Sequence, residues 1–297
     1  MSLPDYSGFK EIKVQLDSGV LVVTIDRATK RNTFIDALGA DLKNVFEFAD
    51  KDERVRVVIL TAEDTAPAYC SGADISGGWS GLFAKDDDEE GELAHRDGGG
   101  QVSMVIYNCR KITIAAVNGH AAGVGVTALQ LPFDLRFVWA GAKQSLPFIR
   151  RGIAPEAGST YLLPRLIGHS RANSLLLTGG TYLPNSPLLE NLYHEILPTR
   201  EEVFPKALAL AKELAVHASP KSVRYTKGLL QHGGESIEES HLLDSRAIRI
   251  LAASPDAAEG AKSFFERRPP QFESKPSKDS WYPWWRSVDV KYRKTKL

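Results

Sequence analysis

The sequence predicts an α/β core followed by a helical C-terminal region. Short β-branched runs alternate with helical segments in the first part of the chain, whereas the pattern from Val203 to Arg268 is helical. The composition of the 297 residues, 43% hydrophobic and 25% charged, is ordinary for a globular protein. We therefore expect residues 1–200 to form the core, 201–272 the helical region and 273–297 a polar tail.

The N-terminal segment predicts a β-hairpin and then a crossover unit. Residues 10–16 alternate apolar and polar side chains, a turn follows at 17–20, and the apolar run LVVTI continues the pattern. Residues 35–50 place apolar side chains at helical spacing, and VRVVILTA at 55–62 is typical of a buried strand. A strand, a helix and a second strand thus follow one another.

The middle of the chain continues the alternation after an interruption. Residues 77–100 are glycine-rich and acidic, which indicates a surface excursion, and a helix is expected from Gln101 to Cys109. ITIAAV at 112–117 predicts a third buried strand, AAGVGVTALQL at 121–131 a helix that begins with small residues, and DLRFVWA at 134–140 a further strand.

The second half of the chain predicts mostly helices. Residues 169–180 indicate a helix and a turn, and the remaining helical segments are 203–218, 219–233, 236–254 and 254–268, the last of which stops at Pro269-Pro270.

Composition and charge exclude several classes of partner. The 37 basic and 37 acidic side chains cancel, which gives no support for binding nucleic acid or a membrane surface. The longest apolar runs are far shorter than the roughly 18 residues that a membrane-spanning helix needs. Cys70 and Cys109 lack the spacing of a metal site, so we expect two small buried hydrophobic side chains in a reducing compartment and no metal.

The chain ends in Thr295-Lys296-Leu297, which resembles the small-basic-leucine address of peroxisomal proteins. The alternative is a solvated charged tail. The expected location is therefore the peroxisome if the tripeptide is a working signal, and the cytoplasm otherwise.

Two glycine-containing turns share one design. YCSGADI at 69–75 follows the strand at 55–62, and NGHAAGVGV at 118–126 follows the strand at 112–117. Small residues let a ligand approach the backbone closely, and where a turn opens a helix its first N–H groups lack internal partners. One N–H group from each turn could bind a single carbonyl oxygen as that oxygen becomes negative.

The segment GIAPEAGSTYLLPRLIG at 152–168 holds a single carboxylate, Glu156. An acid near the start of a helix is favoured by about 0.3–1 kcal/mol through the helix dipole alone. The alternative is that Glu156 carries protons in a reaction.

In this order and spacing, these segments resemble the crotonase (enoyl-CoA hydratase/isomerase) superfamily. The similarity runs from about residue 10 to Phe272 and includes IDRATKRNTF at 25–34 and FFERRPPQF at 264–272. The resemblance implies a crotonase-like spiral of ββα turns that carries an acyl-CoA site, and C-terminal helices that assemble a homotrimer or hexamer. It also implies an acyl-CoA thioester substrate, with coenzyme A as part of the substrate and no other cofactor.

The resemblance also implies roles for individual residues. The backbone N–H groups of Ala73 and Val124 would form the oxyanion hole, and Lys30 and Arg31 would meet the coenzyme A nucleotide. The pantetheine and acyl path would be lined by Ser71, Gly72, Ala73, Asp74 and Ile75.

Hydratases of this superfamily use two glutamates, and the corresponding positions here are Thr127 and Phe148. Glu156 remains, at the position of the single catalytic glutamate in peroxisomal Δ3,Δ2-enoyl-CoA isomerases. The resemblance therefore implies conversion of 3-enoyl-CoA to trans-2-enoyl-CoA in fatty-acid β-oxidation, with Glu156 taking a proton from C2 and returning one to C4. An apolar surrounding such as Phe148 would raise the pKa of Glu156.

Two alternatives to the isomerase stay open. One is a hydratase-family enzyme of a specialised pathway. The other is a catalytically idle acyl-CoA-binding paralogue.

Overall fold

The structure is a computed structural model that describes residues 4–78 and 95–272. These residues fall into two compact units, divided between Lys212 and Glu213. The α/β fold class is confirmed, since sheets occupy the first unit and helices the second. Most of the acidic excursion and the C-terminal tripeptide lie outside the described residues.

The described strands, in chain order, are β1 (Ile12–Asp17), β2 (Val20–Ile25), β3 (Val57–Ala62), β4 (Ala68–Cys70), β5 (Ile112–Val117), β6 (His120–Ala122), β7 (Leu135–Trp139), β8 (Gln144–Ser145), β9 (Thr181–Tyr182) and β10 (Glu195–Leu197). The described helices are α1 (Asp36–Lys51), α2 (Gly98–Tyr107), α3 (Val124–Thr127), α4 (Ser159–Ile167), α5 (His169–Thr178), α6 (Val203–His217), α7 (Pro220–His232), α8 (Ile237–Ala252) and α9 (Pro255–Glu266).

The larger sheet has the order β1-β2-β3-β5-β7-β10. The predicted hairpin of β1 and β2 is antiparallel, with Leu16 opposite Leu21, and every later pairing is parallel. Strand β3 is buried along its whole length, as its continuous β-branched sequence predicts. The hairpin therefore lies at one edge of a parallel sheet.

A smaller sheet, in the order β4-β6-β8-β9, carries the two glycine-containing turns. Strands β4 and β6 are parallel neighbours, with Ala68 opposite His120 and Cys70 opposite Ala121. Strands of two or three residues are too short to show a period of two, so the sequence pattern did not reveal them. Because β4 and β6 are adjacent, the turns that follow them meet.

Helix α1 agrees with its prediction and buries Leu38, Leu42, Val45 and Phe46 against the sheet. Helix α2 differs, because it begins at Gly98 rather than at Gln101. Residues 98–100 were thus wrongly assigned to the surface excursion.

The helix predicted over residues 121–131 is much shorter than expected. Its regular part, α3, covers only Val124–Thr127. The side-chain amide of Gln130 donates to the carbonyl of Gly125, which is the group that the Leu129 amide would use in a continued helix. The Leu129 amide instead donates to Val124, five residues back, so the chain leaves the helix in wide turns.

Three helices make up most of the second unit. Helices α7, α8 and α9 begin with Ser219, Ser236 and Ser254, whose hydroxyl oxygens each accept a hydrogen bond from the backbone amide three residues later. Tyr225 and Ala247 form a small buried core between α7 and α8. Large apolar side chains that are 65–81% exposed remain on these helices: Leu230, Ile237, Leu242, Ile248, Phe264 and Phe265.

Among the helices formed by residues 4–78 and 95–272, none has the length and apolar character needed to cross a membrane.

Candidate active site

The turns after β4 and β6 pack directly against each other through their glycines. A methyl group built on Gly72 would lie 3.3 Å from the carbonyl oxygen of Ala122, and one built on Gly125 would lie 2.4 Å from that of Cys70. Gly72 also has φ of +102°, which favours glycine. Glycine at these positions therefore lets the two turns approach each other at backbone distance.

Ala73 and Val124 follow these close contacts. Within the described part of the chain, neither the Ala73 N–H nor the Val124 N–H donates a hydrogen bond to another group. Val124 is the first residue of α3, where an N–H group has no partner inside the helix. Its side chain is 6% exposed, whereas Ala73 is half-buried. The two amides are thus available to an incoming acceptor.

A rigid turn places Glu156 before α4. Ala157 and Gly158 both have left-handed backbone conformations, with φ of 58° and 67°. The Ser159 amide and hydroxyl both donate to the carbonyl oxygen of Glu156, at 3.0 and 2.6 Å. It is therefore the backbone carbonyl of Glu156, and not its carboxylate, that accepts from the start of the helix. The Glu156 carboxylate therefore does not cap α4 by accepting a hydrogen bond from Ser159.

The Glu156 carboxyl group lies between two buried residues. The Thr127 hydroxyl donates to Glu156 Oε1 and also lies 3.2 Å from the Gly123 carbonyl oxygen. On the other side, a methyl group built on Gly99 would lie 2.2 Å from Glu156 Oε2 and 2.9 Å from Val124 Cγ2. The carboxyl group therefore sits beside the residue that provides one of the two free amides.

Burial dominates the protonation of this group. Desolvation raises the pKa of Glu156 to about 8, and the hydrogen bond from Thr127 opposes part of that rise. The nearby charge of Asp97 and a side-chain hydrogen bond with it raise the pKa further. The sequence-based expectation of a raised pKa is confirmed, and the acid form of Glu156 predominates at neutral pH.

Asp97, which acts on the pKa of Glu156, was not singled out in the sequence analysis. It precedes α2, and its Oδ1 accepts a hydrogen bond from the Gly100 amide, which makes it the N-cap of that helix. Aspartate just before an apolar segment is an N-cap signal, and it could have been recognised at Asp97. The three glycines after it obscured the signal, because glycine disfavours helices.

The two positions that differ from hydratases have structural surroundings of their own. Thr127 is fully buried and provides the hydroxyl described above. Phe148 is 4% exposed, and its ring comes within 4.0 Å of a methyl group built on Gly123, in the turn before α3. Thr127 thus contributes a neutral donor to the site, and Phe148 contributes apolar surface beside the turn.

The residues expected to meet coenzyme A lie at the open side of the first turn. Lys30 and Arg31 are exposed, and the Arg31 carbonyl oxygen accepts from the Ser71 amide at 3.2 Å. The carboxylate of Asp74 accepts from the Ser76 side chain and amide, which together lower its pKa, and Lys30 contributes a smaller lowering. Ile75 is 44% exposed. The structure thus brings Lys30 and Asp74 near each other beside the first turn.

The described residues contain no group of three or more histidine, cysteine or acidic side chains that could hold a metal ion. Cys70 and Cys109 are buried free thiols, as expected.

Known proteins match this arrangement along most of the chain. A model of the family described as enoyl-CoA hydratase/isomerase matches residues 15–275. The chain belongs to the enoyl-CoA hydratase/isomerase family. The superfamily resemblance drawn from the sequence is therefore confirmed.

Two curated members of the family and one solved structure illustrate the similarity. Enoyl-CoA hydratase AFT3-1 of Alternaria alternata is 39% identical over 86% of this chain and 83% of its own length. The 2,3-dehydroadipyl-CoA hydratase of Escherichia coli is 31% identical over 89% of this chain and 99% of its own. A crystal structure of enoyl-CoA hydratase from Bacillus anthracis superimposes with a TM-score of 0.78 at 27% identity, over 90% of this chain and all of that one.

These relatives are named hydratases. The expectation of a peroxisomal Δ3,Δ2-enoyl-CoA isomerase is therefore not confirmed, and the broader conclusion, an enzyme of the crotonase family, holds.

Proposed function

We propose that this enzyme hydrates a 2-enoyl-CoA thioester in a specialised pathway, with Glu156 as the acid–base group. The observation that carries the proposal is the buried Glu156 carboxyl group, which lies beside the Val124 side chain and whose acid form predominates at neutral pH. The hydratase names of the relatives support this reaction over isomerisation.

A single carboxyl group can catalyse the hydration and return to its initial protonation state. The N–H groups of Ala73 and Val124 bind the thioester oxygen, which becomes negative as water adds to C3. Glu156 gives its proton to C2, and its second oxygen accepts the proton that the attacking water releases. Glu156 thus ends the cycle protonated, as it began. Each amide of such an oxyanion hole contributes about 3 kcal/mol to transition-state stabilisation.

Recognition of the coenzyme A portion is assigned to the open side of the first turn. Lys30 and Arg31 are exposed cations suited to the nucleotide phosphates. Ser71, Gly72, Asp74 and Ile75 line the pantetheine and acyl path.

Isomerisation of 3-enoyl-CoA is the second candidate, because Thr127 and Phe148 replace both glutamates of hydratases and leave Glu156 as the carboxyl group at the family position. That reaction needs the ionised form of Glu156 to take the C2 proton. With a pKa of about 8, only about one tenth of the molecules carry it at pH 7.

Absorbance of the conjugated enoyl thioester distinguishes the candidates. We expect 2-hexenoyl-CoA to lose its conjugation, at a rate that falls as pH rises through about 8. The second candidate predicts instead that 3-hexenoyl-CoA is converted to the conjugated isomer without hydration, at a rate that rises up to that pH. That result would show that the enzyme is an isomerase and not a hydratase. Binding of both thioesters with turnover of neither would support the idle paralogue.

We propose further that the C-terminal helices assemble a homotrimer or hexamer. The exposed apolar side chains on α7, α8 and α9 support this assignment. Light scattering after size-exclusion chromatography should give three or six chain masses for the wild type and less for Leu242→Lys. A wild-type monomer would contradict the assignment.

The peroxisomal location remains a proposal based on Thr295-Lys296-Leu297. Fusing the last twelve residues to a fluorescent protein should give punctate signal, and diffuse signal would overturn it.

A further inference from the structure

Two carboxyl groups meet at the N-terminus of α2. A methyl group built on Gly99 would lie 2.2 Å from Glu156 Oε2 and 3.3 Å from Asp97 Oδ1, so both acids border the same point. Two ionised carboxyl groups this close repel each other. The repulsion favours a single proton on the pair.

The surroundings of the two acids differ. Asp97 accepts from the Gly100 amide and caps α2, where the helix dipole favours negative charge. Glu156 is desolvated beside Val124 and receives one hydrogen bond, from the Thr127 hydroxyl. The buried Glu156 is therefore the member of the pair that holds the proton.

We propose that Asp97 is a positioning residue that keeps Glu156 in its protonated form by sharing one proton with it. The inference rests on the proposed function, since it explains how a carboxyl group is presented as an acid at neutral pH. Asp97 acts through Glu156 and does not itself contact the thioester.

Other groups facing Glu156 do not supply a competing charge. Thr127 of α3 is neutral, and Cys70 of β4 is a thiol whose pKa burial raises to about 12, so it is also neutral. In the described parts of the chain, Asp97 is the charged side chain that acts on Glu156. Removing that charge should therefore make Glu156 ionise at lower pH.

The variant Asp97→Asn removes the negative charge of residue 97 and keeps its role as the N-cap of α2. Asparagine is as good an N-cap as aspartate and can still accept from the Gly100 amide, so α2 is retained. Asp97→Ser, another good cap without charge, is the matched second variant. Urea unfolding at neutral pH verifies that all forms are folded.

The decisive readout does not depend on turnover. The difference in unfolding free energy between a protein and its Glu156→Gln derivative should change with pH until Glu156 ionises, at about pH 8 in the wild type. When both proteins also carry Asp97→Asn, we expect the difference in unfolding free energy to stop changing at a pH that is lower by about one unit or more. If that pH is the same with and without Asp97→Asn, the proposal is overturned, whichever reaction the enzyme catalyses.

The hydration rate gives a second readout. A shift of one unit predicts a rate about fivefold lower at pH 8 and little changed at pH 6 for Asp97→Asn. Loss of the same factor at every pH would mean that Asp97 has only a structural role. If the wild type hydrates no enoyl-CoA, the proposed function fails, and the unfolding experiment still decides the role of Asp97.

Discussion

Replacing Glu156 by glutamine should stabilise the folded protein more and more as the pH rises. Glutamine has nearly the same shape and cannot ionise, so the comparison isolates the titration of one carboxyl group. Its pKa is raised from 4.5 to about 8 by burial, so between these values the folded protein holds a proton that the unfolded chain has released. The stabilisation from protonated Glu156 is complete below the unfolded value and is lost as the pH rises through the folded value.

The magnitude follows from the two pKa values. For each pH unit between the two pKa values, the unfolding free energy of the wild type falls by about 1.4 kcal/mol relative to that of the glutamine variant. From pH 5 to pH 8 the gap in unfolding free energy should therefore grow by about 3.5 kcal/mol, because both ends of the titration are gradual, and it should level off above that pH.

Urea unfolding at pH 5, 6, 7 and 8, at one protein concentration, measures this gap. The expected growth corresponds to a change of about 1 M or more in the difference between the two urea midpoints. Glu201→Gln, on an exposed side chain, controls for the removal of a carboxylate. A gap for Glu156→Gln that stays constant with pH would refute the reasoning, because Glu156 would then titrate alike in both states.

Three further changes test the site. Gly99→Ala should lower the hydration rate at least tenfold, because its methyl group would lie 2.2 Å from Glu156 Oε2 and would displace the carboxyl group. Gly98→Ala is the control and should leave the rate unchanged, because its methyl group would lie 3.8 Å from its nearest neighbour. Equal rates for the two variants would contradict the contact between Gly99 and Glu156. Thr127→Val removes a hydrogen bond that lowers the pKa of Glu156. The pH at which the hydration rate falls should therefore increase, and a decrease in that pH would contradict the role assigned to Thr127. Lys30→Ala should raise KM about fivefold for a coenzyme A thioester and leave KM unchanged for an N-acetylcysteamine thioester, and an equal effect on both would exclude contact with the nucleotide.

The sequence predicts those parts of the fold that depend on local pattern. Helix α1 has a clear helical period, and β3 is a continuous β-branched run, so each was assigned within one or two residues. The two glycine-containing turns were also recognised, because close backbone approach restricts their side chains to small ones.

The errors arise where tertiary contacts override local preference. Glycine disfavours helices, yet Gly99 lies inside α2 because any larger side chain would collide with Glu156 and Val124. Helix α3 ends early because the Gln130 side chain takes a backbone carbonyl that a longer helix would use. Neither contact can be read from a local window of sequence.

The site was predicted in part for the same reason. Glu156 was identified through its position in a family motif, but its partners Asp97 and Thr127 are distant in sequence and meet it only in the folded chain. The hydrogen bonds from Ser159 to the backbone carbonyl of Glu156 also depend on the left-handed conformations of Ala157 and Gly158, which the sequence pattern does not reveal.

Deuterium exchange at C2 of a saturated acyl-CoA, followed by NMR in D2O, tests the central claim most directly. Exchange requires only an oxyanion hole and a group that removes the C2 proton, so it is independent of whether the natural reaction is hydration or isomerisation. Removal of the C2 proton needs the ionised form of Glu156, so we predict enzyme-dependent exchange that rises up to about pH 8 and that Glu156→Gln slows by about 10²–10⁴-fold at that pH. Exchange at the wild-type rate in that variant would show that another group moves the proton, and would contradict the role of Glu156.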